Sequence, residues 1–449
     1  MNVLLTTSAA PSQSPFATNE KRFPIGIGFL ISVLRDAGHK VFFIDNYLKP
    51  TRFLENNYLQ KNNIDFVGIY ANTICYRDTL RMFREIEKMR KKGTWQGKVI
   101  VGGPHTSVAL ETIPEYVDFV VQGEGERAIL NIVEGQLKDR VVKESRIEDL
   151  DSLPMPAYDY FANLPYDFTT KWTEEKPIFN MNTSRGCSFD CTFCSVGSIW
   201  ARKYRCFSAQ RIIEEVKHLI EVYNVKGIYF REDNFTLNKN RVIELCEGLL
   251  SQNINIKWVC ETRVDTLSFD LLELMEKSGC KGLYFGVESG SQRMLDFMKK
   301  GITIEQVEEV FNWCNKLDIE AHASFVVGVP TETAEERKKT IEFSKKIKAT
   351  TCGFNVFVGI PKSELYDYVL EKKLYEFVDD RGLLYLRGHD KLIDKFCFGN
   401  PAAKVPYKNL KRMAKAKIKL LNILKRCIKK VLGKGMVELI KKDFLWKQS

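Results

Sequence analysis

The sequence has no hydrophobic run that approaches the ~18–20 apolar residues of a membrane-spanning helix. Its first residues, M-N-V-L-L-T-T-S, contain neither a basic segment nor a cleavage site, so they do not match a secretory signal peptide. We therefore expect a cytoplasmic protein, in which thiols stay reduced. Of the twelve cysteines, nine are scattered singly, which predicts buried apolar side chains rather than a disulfide framework.

Acidic residues are scarce near the C-terminus. Residues 404–449 contain fifteen Lys or Arg and two acids, a local net charge of +13 in a chain whose net charge is +11. Apolar residues recur at helical spacing among these lysines: Leu410, Met413, Ile418, Leu421, Leu424, Ile428 and Val431. The pattern predicts either a helix at a membrane surface, which would suit a lipid-like substrate, or a helix packed on the protein with a solvated basic face. Nucleic acid is not favoured, because no aromatic stacking pattern accompanies the charge.

Residues 1–140 alternate short apolar runs with helical patterns, which predicts an α/β domain with a doubly wound, Rossmann-like sheet. Strands are predicted at 2–8, 39–45, 65–70, 98–103 and 118–123, with helices at about 26–38, 78–91 and 126–137. Glycines cluster where two strands end, at Gly102-Gly103 and Gly123-Glu124-Gly125. The carboxyl ends of such strands form a ligand crevice. Either pair alone is typical of a tight turn, but together they indicate a binding edge.

A second alternating series, over residues 177–370, predicts a partial (β/α)6 barrel. Its strands are predicted at 178–184, 227–233, 256–263, 282–289, 323–329 and 354–360, and its helices near 209–222, 239–251, 269–278, 304–317 and 333–348. Residues 141–176 lack periodicity and contain Pro154 and Pro156, so we predict a linker on the surface. Residues 371–449 are predicted to form a helical C-terminal extension.

Three cysteines lie within eight residues, with the spacing C-x3-C-x2-C: Cys187, Cys191 and Cys194. They follow the first predicted barrel strand, so they lie at the barrel mouth. The spacing indicates a metal site of one of two kinds. A closed zinc site needs four ligands, and Cys206 is available as the fourth, although it has no partner cysteine nearby. A [4Fe–4S] cluster held by only three thiolates keeps one iron open for another ligand, and we favour this interpretation.

The cysteine segment resembles the signature of the radical S-adenosylmethionine (SAM) superfamily, C-x3-C-x-aromatic-C, with Phe193 in the aromatic position. The resemblance implies that the three cysteines hold a [4Fe–4S] cluster whose open iron binds the amino and carboxylate groups of SAM. It also implies SAM contacts from Phe193 and, at later strand ends, from Glu232, Asp233, Arg263, Glu288, Ser289, Gly328 and Glu332. These elements occur in the family's order, which argues against coincidence.

The N-terminal region resembles the cobalamin-binding domain found in one subclass of this superfamily. The resemblance is carried by Pro24-Ile25-Gly26, Ala37-Gly38-His39, Gly102-Gly103-Pro104-His105 and Gly123-Glu124-Gly125-Glu126. It implies that cobalamin contacts Gly102, Gly103, Gly123, Glu124 and Gly125. The loop after the first strand, T-S-A-A-P-S-Q-S-P, departs from the D-x-H-x-x-G motif because it has no histidine. Cobalamin would then bind without a protein ligand, or the domain is vestigial.

A second departure lies after the sixth barrel strand, where Pro361-Lys362-Ser363 replaces the P-G-T turn usual in relatives. The resemblance as a whole implies an enzyme that cleaves SAM reductively to a 5′-deoxyadenosyl radical, with a flavodoxin- or ferredoxin-type electron donor. We expect cobalamin-dependent methylation of an unactivated carbon in a small-molecule or lipid-like substrate. Cyclisation, carbon–carbon coupling or rearrangement is the alternative reaction. The rival outside catalysis is a zinc- or nucleotide-binding module.

Overall fold

The computed structural model describes residues 1–9, 21–48 and 57–396. Within these ranges no helix combines the length and the hydropathy needed to cross a membrane. The basic segment 404–449, and with it the predicted amphipathic helix, lies outside the described residues.

The N-terminal half forms a sheet of six parallel strands in the order β2-β1-β3-β4-β5-β6. The strands are β1 Asn2–Thr7, β2 Lys40–Ile44, β3 Phe66–Tyr70, β4 Lys98–Gly102, β5 Phe119–Val121 and β6 Val141–Val142. The helices are α1 Ile25–Asp36, α2 Tyr58–Lys61, α3 Tyr76–Lys91, α4 Pro104–Val108 and α5 Glu126–Val133. In β1, Val3 and Leu5 belong to one hydrophobic core and Leu4 to another. The sheet is therefore covered on both faces, which confirms the doubly wound prediction.

The second half forms an open sheet of six parallel strands in the order β14-β13-β12-β11-β10-β7. These strands are β7 Ile178–Met181, β10 Gly227–Phe230, β11 Lys257–Thr262, β12 Cys280–Glu288, β13 Glu320–Val327 and β14 Thr351–Val356. A short antiparallel pair, β8 Ser184–Arg185 and β9 Arg205–Cys206, flanks the cysteine loop. Because β14 and β7 are the two ends of the sheet, the barrel is partial, as predicted.

Seven helices of the described chain accompany this barrel, and the five of them that were predicted begin and end close to the predicted positions. The seven helices are α6 Val196–Trp200, α7 Ala209–Tyr223, α8 Lys239–Ser251, α9 Phe269–Lys277, α10 Gln292–Phe297, α11 Ile304–Lys316 and α12 Ala334–Lys346. Beyond the barrel lie α13 Glu364–Glu371, the hairpin strands β15 Tyr375–Val378 and β16 Leu384–Leu386, and α14 His389–Phe396. The sequence patterns did not predict α6, α10 or the two short strand pairs, because each is too brief to show periodicity.

The segment 141–176 differs from the predicted surface linker. Val141–Val142 forms the sixth strand of the N-terminal sheet, and several later side chains of the segment are buried. Tyr158 and Phe161 pack against Phe23 of the N-terminal half, with ring centroids 5.9 and 5.1 Å apart, and Phe23 also contacts Phe179 of β7 at 5.4 Å. The prediction was wrong because large aromatic side chains can fill a core without any helical or strand period.

Candidate functional site

A cavity of about 660 Å³ lies between the carboxyl edge of the N-terminal sheet and the barrel mouth. One side is formed by all five residues predicted to contact cobalamin: Gly102, Gly103, Gly123, Glu124 and Gly125. The other side includes Asn180, Arg231, Asp233 and Trp200 from the barrel and the cysteine loop. The predicted cobalamin edge therefore shares this cavity with Glu232 and Asp233 of the barrel mouth. The three cysteines and the other predicted SAM residues are not among the residues that line it.

Four of these five residues are glycines, so this edge of the cavity, the glycine edge, presents backbone with few side chains. Gly103 has a φ of +110°, and a Cβ there would lie 2.6 Å from the Ala71 carbonyl oxygen, so the backbone accepts only glycine. At Gly123 a Cβ would meet nothing within 4 Å, because the position faces open space. A bare edge of this kind fits a large ring system that lies directly on the backbone.

All five histidines are among the described residues, and none of them lines the cavity. His105, the histidine beside the glycine edge, is fully buried. Its Nδ1 lies 3.1 Å from the Thr73 hydroxyl and its Nε2 lies 2.9 Å from the Thr112 hydroxyl. Both ring nitrogens are thus engaged inside the protein, and a corrinoid in the cavity would have no histidine ligand from these residues.

The buried His105 predicts a pH dependence of stability. Burial and, to a smaller extent, the charge of Arg381 together lower its pKa to about 3, whereas an unfolded histidine titrates near 6.5. Above that pH the residue is neutral in both states. As the pH falls below it, only the unfolded chain binds the proton, so stability declines by about 1.4 kcal/mol per pH unit from this group. Denaturant midpoints between pH 4 and 7 should show a shallower slope in His105→Gln; an unchanged slope contradicts the assignment.

The cysteine loop is held rigidly at the barrel mouth. Gly186, directly before Cys187, has a φ of +87°, and a Cβ there would lie 2.1 Å from the Lys203 carbonyl oxygen. Further along, the Thr192 N–H donates to the Met298 carbonyl at 2.9 Å, and the Thr192 carbonyl accepts from the Leu365 N–H at 2.8 Å. The loop is therefore fixed at both ends of its turn.

The three cysteines of this loop are free, partly buried thiols. Burial raises the pKa of Cys187 and raises that of Cys194 to about 11. The Arg263 guanidinium lies against the loop, with Nη1 3.4 Å from the Cys191 sulphur and its centre 3.6 Å from the Phe189 ring centroid. A cation beside three thiols suits a site that must hold thiolates, because a metal centre displaces their protons.

The arrangement of these thiols bears on the choice between a cluster and zinc. Among the described residues, no three His, Cys, Asp or Glu side chains converge on a point where one ion would sit. A closed zinc site takes four ligands, whereas a cubane cluster can be held by the three thiolates that the loop supplies. Cys206, the candidate fourth zinc ligand, accepts a hydrogen bond from Asn238 Nδ2 at 3.7 Å. The donor set thus fits a three-thiolate cluster.

The two acids after β10 have different surroundings. Glu232 is buried, and its Oε1 accepts from the Thr183 hydroxyl at 2.8 Å and lies 3.6 Å from Arg241 Nη2. Asp233 is exposed to the cavity but enclosed by protein, and burial followed by the charges of Glu232 and Glu261 raises its pKa to about 6. Its charge also raises the pKa of the nearby Cys187 thiol. Asp233 is therefore the member of the pair that is placed for a cofactor contact.

The buried Glu232–Arg241 pair gives a stability prediction. Arg241 Nη1 also donates to the Thr183 carbonyl at 2.9 Å, and Nη2 donates to the Phe235 carbonyl at 2.6 Å. Arg241→Met would leave the Glu232 carboxylate buried without its cation, so we expect a loss of about 3 kcal/mol. The double variant Glu232→Gln/Arg241→Met should recover part of this loss. Urea unfolding of the single and double variants measures both effects, and equal losses would contradict the charge argument.

The remaining predicted SAM residues lie at the ends of later barrel strands and bond to neighbouring elements. Glu288 Oε1 accepts from Lys300 Nζ at 2.8 Å, and Glu288 itself has a φ of +69°. The Ser289 hydroxyl oxygen lies 3.2 Å from the Thr340 hydroxyl oxygen. Glu332 Oε2 accepts from the Gly328 N–H at 2.7 Å. In these contacts Ser289, Gly328 and Glu332 shape strand-end turns.

Phe193 was predicted to contact SAM, whereas Lys300 was not predicted to belong to the site. Phe193, in the aromatic position of the cysteine motif, packs against the main hydrophobic core. Lys300 was missed: it is buried, bonds Glu288 through its side chain and accepts from Arg263 through its carbonyl. No sequence signal separates this lysine from the many on the surface, because burial is decided by the tertiary fold.

Comparison with known proteins assigns both halves. The model of the radical SAM superfamily matches residues 181–344, and that of the B12 binding domain matches residues 20–133. An uncharacterised methyltransferase of Pyrococcus horikoshii, PH0819, is 32% identical over 397 residues, which cover 83% of this chain and 84% of that protein. The anaerobic magnesium-protoporphyrin IX monomethyl ester cyclase of Cereibacter sphaeroides is 23% identical over 76% of this chain and 60% of its own length.

Among solved structures, the cobalamin-dependent SAM radical enzyme OxsB, with aqua-cobalamin and SAM bound, superposes with a TM-score of 0.70. The match covers 100% of this chain and 75% of that chain at 18% sequence identity. The two proteins therefore share the order of a parallel N-terminal sheet followed by a partial barrel.

Proposed function

This chain belongs to the radical SAM superfamily, in the subclass with an N-terminal cobalamin-binding domain, and we propose that it methylates an unactivated carbon of a small-molecule substrate. The observation that carries the proposal is the single cavity shared by the glycine edge and the barrel mouth. A methyl donor and a radical source must face the same carbon, and the glycine edge lies across this cavity from Asp233 and Arg231 of the barrel mouth, which supports the proposal.

The residues that would hold each group follow from the site. Cys187, Cys191 and Cys194 would hold the [4Fe–4S] cluster, and the glycine edge would hold cobalamin. Asp233, which is exposed to the cavity, and the other predicted residues at the strand ends would hold SAM. When bound, the cluster and SAM supply a 5′-deoxyadenosyl radical, and the corrinoid supplies the methyl group.

The protein's own part includes closing the barrel to solvent. At the amino-terminal end of the barrel, Trp172 packs on Tyr284 with centroids 4.5 Å apart, and Tyr284 stacks on Tyr229 at 5.6 Å. The fit is tight, because a Cβ at Gly282 would lie 1.8 Å from the Trp172 ring. This aromatic floor leaves the cavity at the opposite end as the place for chemistry and keeps water away from reactive species.

The test of the proposal is anaerobic reconstitution with iron, sulphide and hydroxocobalamin, followed by reduction with SAM that carries a deuterated methyl group. We expect 5′-deoxyadenosine among the products and the deuterated methyl group in the corrinoid fraction. Protein that forms 5′-deoxyadenosine but binds no corrinoid would contradict methyl transfer by this route.

Ring formation is the second candidate reaction, because the relative of Cereibacter sphaeroides is a cyclase. It would use the same cluster and SAM residues, so substituting a cysteine of the loop would stop both reactions and would not separate them. The fate of the labelled methyl group does: a substrate that is converted without gaining deuterium would favour ring closure or rearrangement.

The proposal also includes two partners. We propose that a flavodoxin- or ferredoxin-type protein delivers the electron, and that residues 404–449 contact an anionic membrane surface. Flotation with phosphatidylglycerol vesicles should carry the full chain but not protein that ends at residue 403. Equal flotation of both would remove the membrane contact from the proposal.

A further inference from the structure

The loop of the glycine edge is bound by charged residues of the other half. Glu124 and Glu126 belong to the N-terminal half, and Arg185 and Arg205 belong to β8 and β9 beside the cysteine loop. Glu124 Oε1 lies 3.4 Å from Arg185 Nη1 and 2.5 Å from Arg205 Nη2. Glu126 Oε1 lies 2.5 Å from Arg185 Nη2. The exposed fractions of these four side chains range from 4% to 13%, so water screens the charges little.

The two arginines depend on these carboxylates for their own placement. In the β8–β9 pair, Arg185 is directly opposite Arg205. Like charges opposite each other destabilise a strand pair, so a hairpin carrying both needs counter-charges. Glu124 and Glu126 supply them from across the domain junction. Burial would raise the pKa of Glu124, but the hydrogen bond from Arg205, the charge of Arg185 and the bond from the Ile147 N–H together lower it.

A second contact holds the same loop from its other end. Ser107 Oγ accepts from the Gly123 N–H at 3.0 Å, and the Ser107 carbonyl accepts from Lys362 Nζ at 2.7 Å. Lys362 has a φ of +63°, a conformation that favours glycine. The lysine in the Pro361-Lys362-Ser363 turn thus tolerates backbone strain and makes a contact with the N-terminal half that glycine has no side chain to make.

We propose that Arg185 is a positioning residue that sets the separation between the glycine edge and the cysteine loop. It lies two residues before Cys187, and the intervening Gly186 runs so close to Lys203 that a Cβ there would lie 2.1 Å from the Lys203 carbonyl oxygen, which leaves this backbone little room to shift. A movement of Glu124 or Glu126 therefore reaches Cys187 through Arg185 and Gly186. The purpose of this separation rests on the proposed function, because it is the distance between the corrinoid and the cluster.

The experiment compares Arg185→Gln with the matched control Arg202→Gln. Arg202 pairs with Asp190 in the same region, but their side chains are 54% and 57% exposed, so that pair is worth little. In cofactor-free protein we expect amide hydrogen exchange in 123–126 and 184–190 to be at least about 10-fold faster in Arg185→Gln, which is the scale of losing roughly 1.4 kcal/mol locally. The control should exchange like the wild type.

In protein loaded with the reduced cluster and cob(II)alamin, pulsed EPR measures the distance between the two paramagnets. We expect one narrow distance in the wild type and in Arg202→Gln, and a broadened distribution in Arg185→Gln at equal cluster content. A purely structural contact would lower the melting temperature without broadening this distance, and that result overturns the proposal, as does unchanged exchange in the cofactor-free variant.

Two further arms keep the outcomes separate. If Arg185→Gln does not fold, Glu126→Gln removes the opposite partner and leaves the cysteine loop unaltered, with the same expected results. If the wild type binds no corrinoid, the proposed function fails, and hydrogen exchange alone then decides whether Arg185 connects the two loops.

Discussion

Cys191→Ala is expected to abolish the broad visible absorbance of the reconstituted protein and to lower reductive SAM cleavage by more than about 100-fold. Loss of a residue that only supports a metal ligand costs up to about 100-fold, and loss of the ligand itself should cost more. The physical reason is the number of ligands. A cluster held by three thiolates has no spare protein ligand, so two remaining cysteines cannot retain it. Absorbance and iron content after anaerobic reconstitution measure the first effect, and 5′-deoxyadenosine formation measures the second.

The matched control for this variant is Cys206→Ala. Cys206 lies close to the same loop, on β9, and its sulphur is engaged by Asn238. In a three-cysteine cluster site the control keeps its absorbance and iron. If Cys206→Ala also loses its metal, or if careful reconstitution gives zinc and no iron, the four-ligand zinc interpretation replaces the cluster.

Gly102→Leu should weaken corrinoid binding by at least about 10-fold, equivalent to roughly 1.4 kcal/mol. Gly102 lines the cavity, and a Cβ there would meet only the Val121 Cβ, at an ordinary 3.6 Å. Leucine therefore fits the backbone, while its longer side chain occupies the space over the edge. Titration with hydroxocobalamin, followed by its absorbance, gives the affinity.

Gly102→Ala provides the graded control, because its single methyl group reaches only the Val121 contact. It should bind the corrinoid nearly as well as the wild type. Both variants should keep the cluster absorbance and the melting temperature of the cofactor-free protein. Equal affinity for all three proteins would show that the corrinoid does not lie on this edge.

The sequence predicted the strands, the barrel helices and the family well, because each has a local signal. Long apolar strands separated by amphipathic helices have a clear period, and the spacing of Cys187, Cys191 and Cys194 is specific. Helix α5, Glu126–Val133, is shorter than the predicted helix over 126–137, because Gly135, with a φ of +76°, follows its end. Boundaries depend on single residues whose effect the period does not show.

The roles of individual side chains were harder to predict. Glu124 was predicted to contact cobalamin, and it lines the cavity, but its oxygens bond Arg205 and the Ile147 N–H. Glu232 and Asp233 are adjacent in the sequence and both line the cavity, yet Glu232 is buried beside Arg241 whereas Asp233 is exposed. No pattern in the sequence identified Lys300 as a buried residue of the site. Such partners come from distant parts of the chain, and a single sequence does not show which of them meet.

The aromatic contacts of Tyr158 and Phe161 have a consequence for recombining the two halves. Because these side chains of segment 141–176 pack on Phe23 and join the cores of both sheets, the halves are not independent modules. A chimera that exchanges the N-terminal half with a relative at residue 140 would separate Phe23 from its own partners. A chimera should instead keep residues 21–176 from one parent. The non-native contacts are then those between Phe23 and Phe179 of the other parent.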